Sequence, residues 1–135
     1  MSVVDASVWV SRLVPHDVHH AASRHWLEQA VADGQPLVAP VFLLAEIAGA
    51  IARRTGDPHL AEQAIRQVLH VPGLRLVVLD RRLGLAAARA AGDLSLRGGD
   101  AVYVALAEQL GIPLVTWDAD QAARAAARVT VQAPA

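Results

Sequence analysis

Short aliphatic runs alternate with longer amphipathic segments along the whole chain. Five of these runs are too short and too sharply flanked for helices, and none has the regular polar alternation of a half-exposed strand. They predict buried strands at residues 2–5, 36–40, 74–79, 114–116 and 129–131. Apolar strands that alternate with helices are typical of a parallel sheet covered on both faces.

The segments between the strands carry apolar residues at helical spacing. They predict helices at residues 6–13, 17–32, 41–54, 58–69, 81–91, 99–110 and 119–127. Turn residues support two boundaries, because Asp33-Gly34 ends the second helix and Asp57-Pro58 caps the fourth. The expected fold class is α/β, a three-layer α/β/α sandwich with a central parallel five-stranded sheet, and residues 1–135 are expected to form one domain.

Composition narrows the function classes. The chain is 54% hydrophobic but only 4% aromatic, so its core is expected to be aliphatic. No apolar run reaches the roughly 18 residues of a membrane helix and no signal-peptide pattern is present, which predicts a cytoplasmic protein without membrane contact. The absence of cysteine rules out disulfides and thiolate metal sites. The net charge of -1 neither supports nor excludes a nucleic-acid partner.

Four acidic residues fall where a parallel sheet would bring them together. Asp5 ends the first predicted strand, Asp118 follows the fourth, Asp100 begins the helix before it, and Glu46 interrupts an apolar helix face. Ligands bind beyond the carboxyl ends of the strands, where the strand order reverses. The alternatives are that the aspartates only cap helices or lie in a first helical turn, whereas a glutamate among apolar residues is costly without a partner.

Carboxylates that share one site repel each other unless a cation is present. An oxygen-only donor set favours Mg²⁺ or Mn²⁺ over Zn²⁺ and suits hydrolysis of a phosphodiester by a metal-activated water. Asp5 and Asp100 are expected to be ligands, and Asp118 a ligand or an acid that holds one. Glu46 is expected to bind the cation or to orient the water.

Three other groups of residues are candidates for this site or its surroundings. Arg97 is placed to reach a phosphate near the metal, with exposure to solvent as the equal alternative, and Asp120 is interpreted as a solvated helix residue. Four histidines fall on the second predicted helix: His16, His19, His20 and His25. The first and third have the spacing of a metal pair, but a solvated polar helix face is the preferred interpretation.

Four motifs resemble those of the PIN-domain nucleases, and most closely those of the VapC-type toxins of bacterial and archaeal toxin-antitoxin pairs. The motifs are Val-Val-Asp-Ala-Ser-Val-Trp-Val at 3–10, Pro-Val-Phe-Leu-Leu-Ala-Glu-Ile at 40–47, Arg-Gly-Gly-Asp-Ala-Val-Tyr-Val-Ala-Leu-Ala-Glu at 97–108 and Leu-Val-Thr-Trp-Asp-Ala-Asp at 114–120. They occur in the family's order and extend over nearly the whole chain. Trp117 departs from the pattern, since a smaller or aliphatic residue is expected there.

The resemblance implies the role of each matching residue. It places the family's acidic quartet on Asp5, Glu46, Asp100 and Asp118 and its hydroxyls on Ser7 and Thr116. It further implies a Mg²⁺- or Mn²⁺-dependent endoribonuclease that acts on RNA, a homodimer, and inhibition by a small cognate VapB-like antitoxin.

Two other functions are compatible with the same fold. One is a PIN-like housekeeping nuclease without an antitoxin, which the chain itself does not separate from the toxin. The other is a non-catalytic Mg²⁺-binding α/β signalling module, similar to a receiver domain. A receiver needs a lysine after a late strand, and all twelve basic residues of this chain are arginine. That absence counts strongly against the signalling module.

Overall fold

A computed structural model describes residues 1–135 and contains one sheet of five parallel strands in the order β3-β2-β1-β4-β5. The strands are β1 Ser2–Val4, β2 Leu37–Pro40, β3 Leu74–Val77, β4 Leu114–Val115 and β5 Val131–Gln132. The strands β2 and β4 are fully buried, so the sheet is covered on both faces. The predicted α/β class and the central five-stranded parallel sheet are confirmed.

Seven helices connect and flank the strands. They are α1 Ala6–Leu13, α2 His20–Ala32, α3 Leu43–Thr55, α4 Pro58–Leu69, α5 Arg81–Leu94, α6 Gly98–Leu110 and α7 Ala119–Ala125. None of the seven combines the length and the apolar character that crossing a membrane requires.

Helix α6 is the central helix of the fold. All seven of its residues from Ala101 to Ala107 are buried, and the helix packs against β1 and β2. A helix that is apolar on nearly every side must lie inside the protein, because no face of it is suited to water. Asp100 at its first turn is therefore held by the core of the molecule next to the ends of the strands.

The strand order puts the carboxyl ends of β1 and β4 side by side. Strand β1 pairs with β2 on one side and with β4 on the other, and Val4 lies opposite Val115. The chain adds β2 and β3 on one side of β1 and β4 and β5 on the other, so the strand order reverses between β1 and β4. This reversal is where parallel sheets place their ligands.

Two predicted helix boundaries are wrong by three residues, and the predicted start of the last strand is wrong by two. Helix α2 begins at His20 rather than at residue 17, because the side chain of Asp17 accepts the His19 N–H at 2.8 Å and forms a turn there. Helix α5 continues to Leu94 and ends at Ser95, whose φ of 55° is left-handed. Strand β5 lies at 131–132, because Val129 N–H still bonds to Ala125 after α7.

Candidate active site

Asp5 lies at the end of β1 and is only 6% exposed. It caps α1, since its Oδ2 accepts the Ser7 N–H at 3.1 Å, and the same oxygen is 3.1 Å from the hydroxyl of Thr116. The capping role and the site role considered for this residue are therefore both present. A buried carboxylate held at a strand end is fixed in position before any ligand arrives.

Thr116 connects the two neighbouring strand ends. Its hydroxyl accepts the Asp118 N–H at 3.0 Å and lies 3.1 Å from Asp5 Oδ2 and 2.9 Å from Gln121 Oε1. Ser7 Oγ lies 3.3 Å from the same hydroxyl and accepts the backbone N–H of Trp117 at 3.1 Å. The hydroxyls of Ser7 and Thr116 thus tie Asp5 to the segment that carries Asp118.

Gln121 is fully buried and links three parts of the site, and it was not among the residues predicted from the sequence. Its side-chain Oε1 accepts from the Thr116 hydroxyl, and its side-chain Nε2 lies 3.4 Å from the Asp100 carbonyl oxygen. Its backbone N–H donates to Asp118 Oδ1 at 3.0 Å. A signal was present, because Asp118 and Gln121 have the spacing of a capping box at the start of a helix. The neutral side chain gave no chemical reason to single it out.

Glu46 is held by Tyr103, which was also missed. The Tyr103 hydroxyl donates to Glu46 Oε1 at 2.6 Å. Burial raises the pKa of Glu46, the hydrogen bond from Tyr103 opposes this, and the charges of Asp5 and Asp100 raise it further. Burial and the neighbouring Glu46 raise the pKa of Tyr103 far above its ordinary value, so its hydroxyl stays a donor. Tyr103 follows Asp100 by three residues on α6, a spacing that puts both on one helix face.

Arg97 bridges the other two acids of the quartet. Its Nε donates to Asp100 Oδ2 at 3.0 Å and its Nη2 to Asp118 Oδ2 at 3.1 Å, although its side chain is 77% exposed. Burial raises the pKa of Asp100, the hydrogen bond and charge of Arg97 oppose this, and the charges of Asp5 and Asp118 raise it again. Arg97 is therefore part of the site and not merely a solvated surface residue.

The electrostatics of the site favour uptake of positive charge. The folded protein binds the protons of Glu46 and Asp100 more tightly than the unfolded chain does, because both pKa values are raised. The stability that this proton binding contributes is present below the unfolded pKa values and is lost as pH rises through the folded ones. At neutral pH the ionised carboxylates repel one another, and a bound cation would relieve that repulsion.

The donor chemistry of the site fits a hard divalent cation. Its acids offer only oxygen atoms, and the charge of Asp5 lies close enough to raise the pKa of both Glu46 and Asp100. In the observed side-chain conformations no three acidic or histidine groups form a ready ligand set for one ion. Instead, the guanidinium of Arg97 supplies the positive charge beside Asp100 and Asp118.

The remaining candidates lie outside this cluster. Asp120 is exposed and pairs with Arg124 one turn along α7, as the sequence analysis interpreted it. The predicted helix face of four histidines is wrong, because His16 and His19 precede α2. His19 stacks on Trp117 with ring centroids 3.8 Å apart, and His20 Nδ1 lies 3.0 Å from the Ser11 carbonyl oxygen.

A polar groove of about 440 Å³ opens beside the acids. Its walls include Ser7 and Glu46 from the site, the stacked rings of His19 and Trp117, and Arg53 from α3. The tryptophan that departs from the expected pattern therefore forms part of the approach to the carboxylates.

The sequence model of the PIN domain matches residues 2–127. The chain belongs to the PIN-domain family. The matched range includes all four acids of the proposed quartet, and the PIN-like fold expected from the motifs is confirmed. Among curated proteins, no sequence matches this PIN domain.

Solved structures share the fold of this PIN domain over nearly their whole length. VapBC2 from Rickettsia felis, bound to a promoter DNA fragment, has a TM-score of 0.75 at 12% identity, covering 98% of this chain and 97% of that one. VapC20 from Mycobacterium tuberculosis, a toxin that cleaves the sarcin-ricin loop, has 0.71 at 21%, covering 91% and 94%. FitAcB from Neisseria gonorrhoeae has 0.73 at 18%, covering 99% and 98%. At these identities the likeness concerns the fold.

Proposed function

We propose that this PIN domain is a Mg²⁺- or Mn²⁺-dependent endoribonuclease and the toxin of a VapBC-like toxin-antitoxin pair. The observation that carries the proposal is the meeting of four carboxylates from four separate segments at the adjoining ends of β1 and β4. The hydroxyl of Thr116, the amide groups of Gln121 and the guanidinium of Arg97 connect the segments that carry Asp5, Asp100 and Asp118, whereas Glu46 is held by Tyr103.

Asp5, Asp100 and Asp118 are the proposed ligands of the cation, which when bound supplies an activated water and offsets charge on the leaving oxygen. Asp5 needs no rearrangement of its backbone for this role, because its cap and the Thr116 hydroxyl already fix it. Ser7 and Thr116 hold the two strand ends together while the acids bind.

Glu46 is the proposed group that orients the attacking water and accepts its proton. Its Oε1 is occupied by Tyr103, which leaves Oε2 without a protein hydrogen-bond partner. The raised pKa brings Glu46 closer to the range in which a carboxylate can take up a proton at neutral pH. Arg97 is proposed to transfer its hydrogen bonds from Asp100 and Asp118 to a substrate phosphate, which its forked donors suit.

The toxin assignment draws on the structural relatives. VapBC2 is bound to a DNA fragment from its promoter, and VapC20 is a toxin that cleaves the sarcin-ricin loop. We infer by analogy a homodimer that is inhibited by a small cognate antitoxin. A housekeeping nuclease of the same fold would show the same cleavage without effect on growth.

Cleavage of structured RNA should require Mg²⁺ or Mn²⁺ and stop on addition of EDTA. Excess Mg²⁺ added afterwards should restore it, because the chain contributes the ligands and the cation contributes the activated water. The products are followed on a denaturing gel with the protein at fixed concentration. Cleavage that persists in EDTA would contradict the metal mechanism.

Expression of the protein alone should arrest growth, and co-expression of the adjacent short gene for a DNA-binding antitoxin should restore it. The control is the Asp100→Asn variant, which should be soluble and harmless. Normal growth with active, soluble protein would favour the housekeeping nuclease and remove the toxin assignment.

Replacing Tyr103 by phenylalanine should move the titration of Glu46 to higher pH in the metal-free protein. The Tyr103 hydrogen bond stabilises the ionised carboxylate, so its loss leaves burial and the charges of Asp5 and Asp100 unopposed. Carbon-13 NMR of the glutamate carboxyl groups measures this. Glu28, which pairs with Arg24 on the surface of α2, is the internal reference and should not move. An unchanged or lowered Glu46 titration would contradict the assigned role of Tyr103.

A further inference from the structure

The geometry points to a second substrate contact, a subsite in which an unpaired RNA base stacks beside the acids. It rests on the proposed ribonuclease function and names the form of RNA that the enzyme takes. The site is the polar groove described above, here called the stacking groove and defined by Ser7, His19, Glu46, Arg53 and Trp117. A single-stranded nucleotide is the occupant, because a base within a duplex has both faces covered by its neighbours.

The stacking groove contains an aromatic platform. The rings of His19 and Trp117 are nearly parallel, with 9° between their planes and 3.8 Å between their centroids. Both side chains remain partly exposed and line the groove. Nucleobases bind to aromatic side chains by the same face-to-face contact, and this is a general means of holding single strands.

The platform is held rigidly from behind. Trp117 Nε1 donates to Ser23 Oγ at 2.7 Å, and Ser23 is fully buried and bonded to Ser11 at 2.7 Å. The hydrogen bonds of these two buried serines therefore anchor the partly exposed Trp117 ring to the core. A ring that is already fixed loses little entropy when a base stacks against it.

His19 is fixed by a different set of contacts. Asp17 accepts the His19 N–H at 2.8 Å through Oδ1 and the Arg54 guanidinium at 3.2 Å through Oδ2. The hydrogen bond from His19 and the pairing with Arg54 lower the pKa of Asp17, so this partner stays ionised. The turn that shortened α2 is therefore the structure that places His19 over Trp117.

Arg53 supplies an unpaired positive charge to the same groove. No acidic group lies within salt-bridge distance of it, whereas its neighbour Arg54 is paired with Asp17. Its Nη1 lies 3.1 Å from the place where a Cβ on Gly49 would stand, so the guanidinium folds back along α3. A forked donor and an aromatic platform in one groove match the phosphate and the base of one nucleotide. Ser7 and Glu46 line the same groove, which puts that nucleotide next to the proposed point of cleavage.

Replacing His19 by alanine should weaken binding of single-stranded oligouridine about tenfold, the loss typical of one stacking contact. His19→Phe should restore it, because phenylalanine keeps a ring on Trp117 without the imidazole. Binding is measured by fluorescence anisotropy of a labelled oligouridine with Ca²⁺ in place of Mg²⁺, and a gel confirms that the RNA stays intact. The matched control is His25→Ala, since His25 is exposed on α2 outside the stacking groove.

Replacing Arg53 by glutamine should weaken the same binding several-fold and make it less sensitive to salt. Arg66→Gln is the control, because Arg66 is exposed on α4 and pairs only with Glu62. Unchanged binding in His19→Ala and Arg53→Gln, or equally tight binding of an RNA duplex, would overturn the subsite even if the enzyme cleaves RNA. Binding that depends on both residues in a protein without nuclease activity would uphold the subsite and count against the proposed reaction alone.

Discussion

Replacing Asp5 by asparagine should lower RNA cleavage by about a thousandfold, which corresponds to roughly 4 kcal/mol of transition-state stabilisation. Asparagine caps helices as well as aspartate does, so the hydrogen bond from Ser7 and the start of α1 should survive. Only the negative charge is lost, and with it a proposed ligand. Single-turnover cleavage gives the rate, and calorimetric titration with Mn²⁺ should show weaker binding.

Asp57→Asn is the matched control for this prediction. Asp57 caps α4 in the same extended conformation and accepts the His59 N–H at 2.9 Å, but it is only partly buried and lies outside the acidic cluster. Both variants should unfold near the same temperature as the parent. If Asp5→Asn keeps full activity, or if Asp57→Asn loses as much, the proposed role of Asp5 as a ligand is wrong.

The fold could be predicted because its determinants are local. Strands as short as Leu114–Val115 were found from apolar runs bounded by Gly, Pro or polar residues, and α6 from an apolar segment after Gly98-Gly99. The boundaries that failed depend on side-chain contacts. Asp17 forms a turn by bonding to a backbone N–H, and periodicity alone does not distinguish this turn from the first turn of a helix.

Glu46 could be named because a charge among apolar residues is costly, and the three aspartates because they fall at predicted strand ends or at a helix start. The residues that hold these acids could not be predicted, because their roles depend on hydrogen bonds to residues far away in the sequence. Tyr103 meets Glu46 across 57 positions, and Trp117 meets Ser23 across 94. Tyr103 and Gln121 each look like ordinary helix residues until the fold brings their partners to them.

The same contacts change the interpretation of Trp117. From the sequence, Trp117 was only a departure from the family pattern. Its ring instead stacks on His19, which the prediction had placed on a solvated helix face, and its indole N–H is bonded within the core. The bulky residue beside Asp118 thus lines the stacking groove, where we propose that a base binds.

Replacing Gln121 by glutamate should leave the protein close to parental stability at low pH and cost about 3 kcal/mol at pH 7. A protonated glutamate can still accept from Thr116 and donate to the Asp100 carbonyl, as the amide does. Once ionised, it places a further negative charge in a fully buried position among Asp5, Asp100 and Asp118. The folded pKa of the new carboxyl must lie above its unfolded value, so stability is lost as pH rises between the two, by about 1.4 kcal/mol per pH unit.

Denaturant unfolding of the metal-free protein across this pH range measures the effect, with Gln63→Glu as the control. Gln63 is exposed on α4, so the same chemical change there should leave the pH dependence of the parent unaltered. Addition of Mn²⁺ should recover part of the stability lost by Gln121→Glu, because a cation offsets the added charge. If the stability of Gln121→Glu and Gln63→Glu depends on pH in the same way, Gln121 does not lie close to the charges of Asp5, Asp100 and Asp118. In that case the network through Thr116 would not couple Asp5 to Asp100 and Asp118.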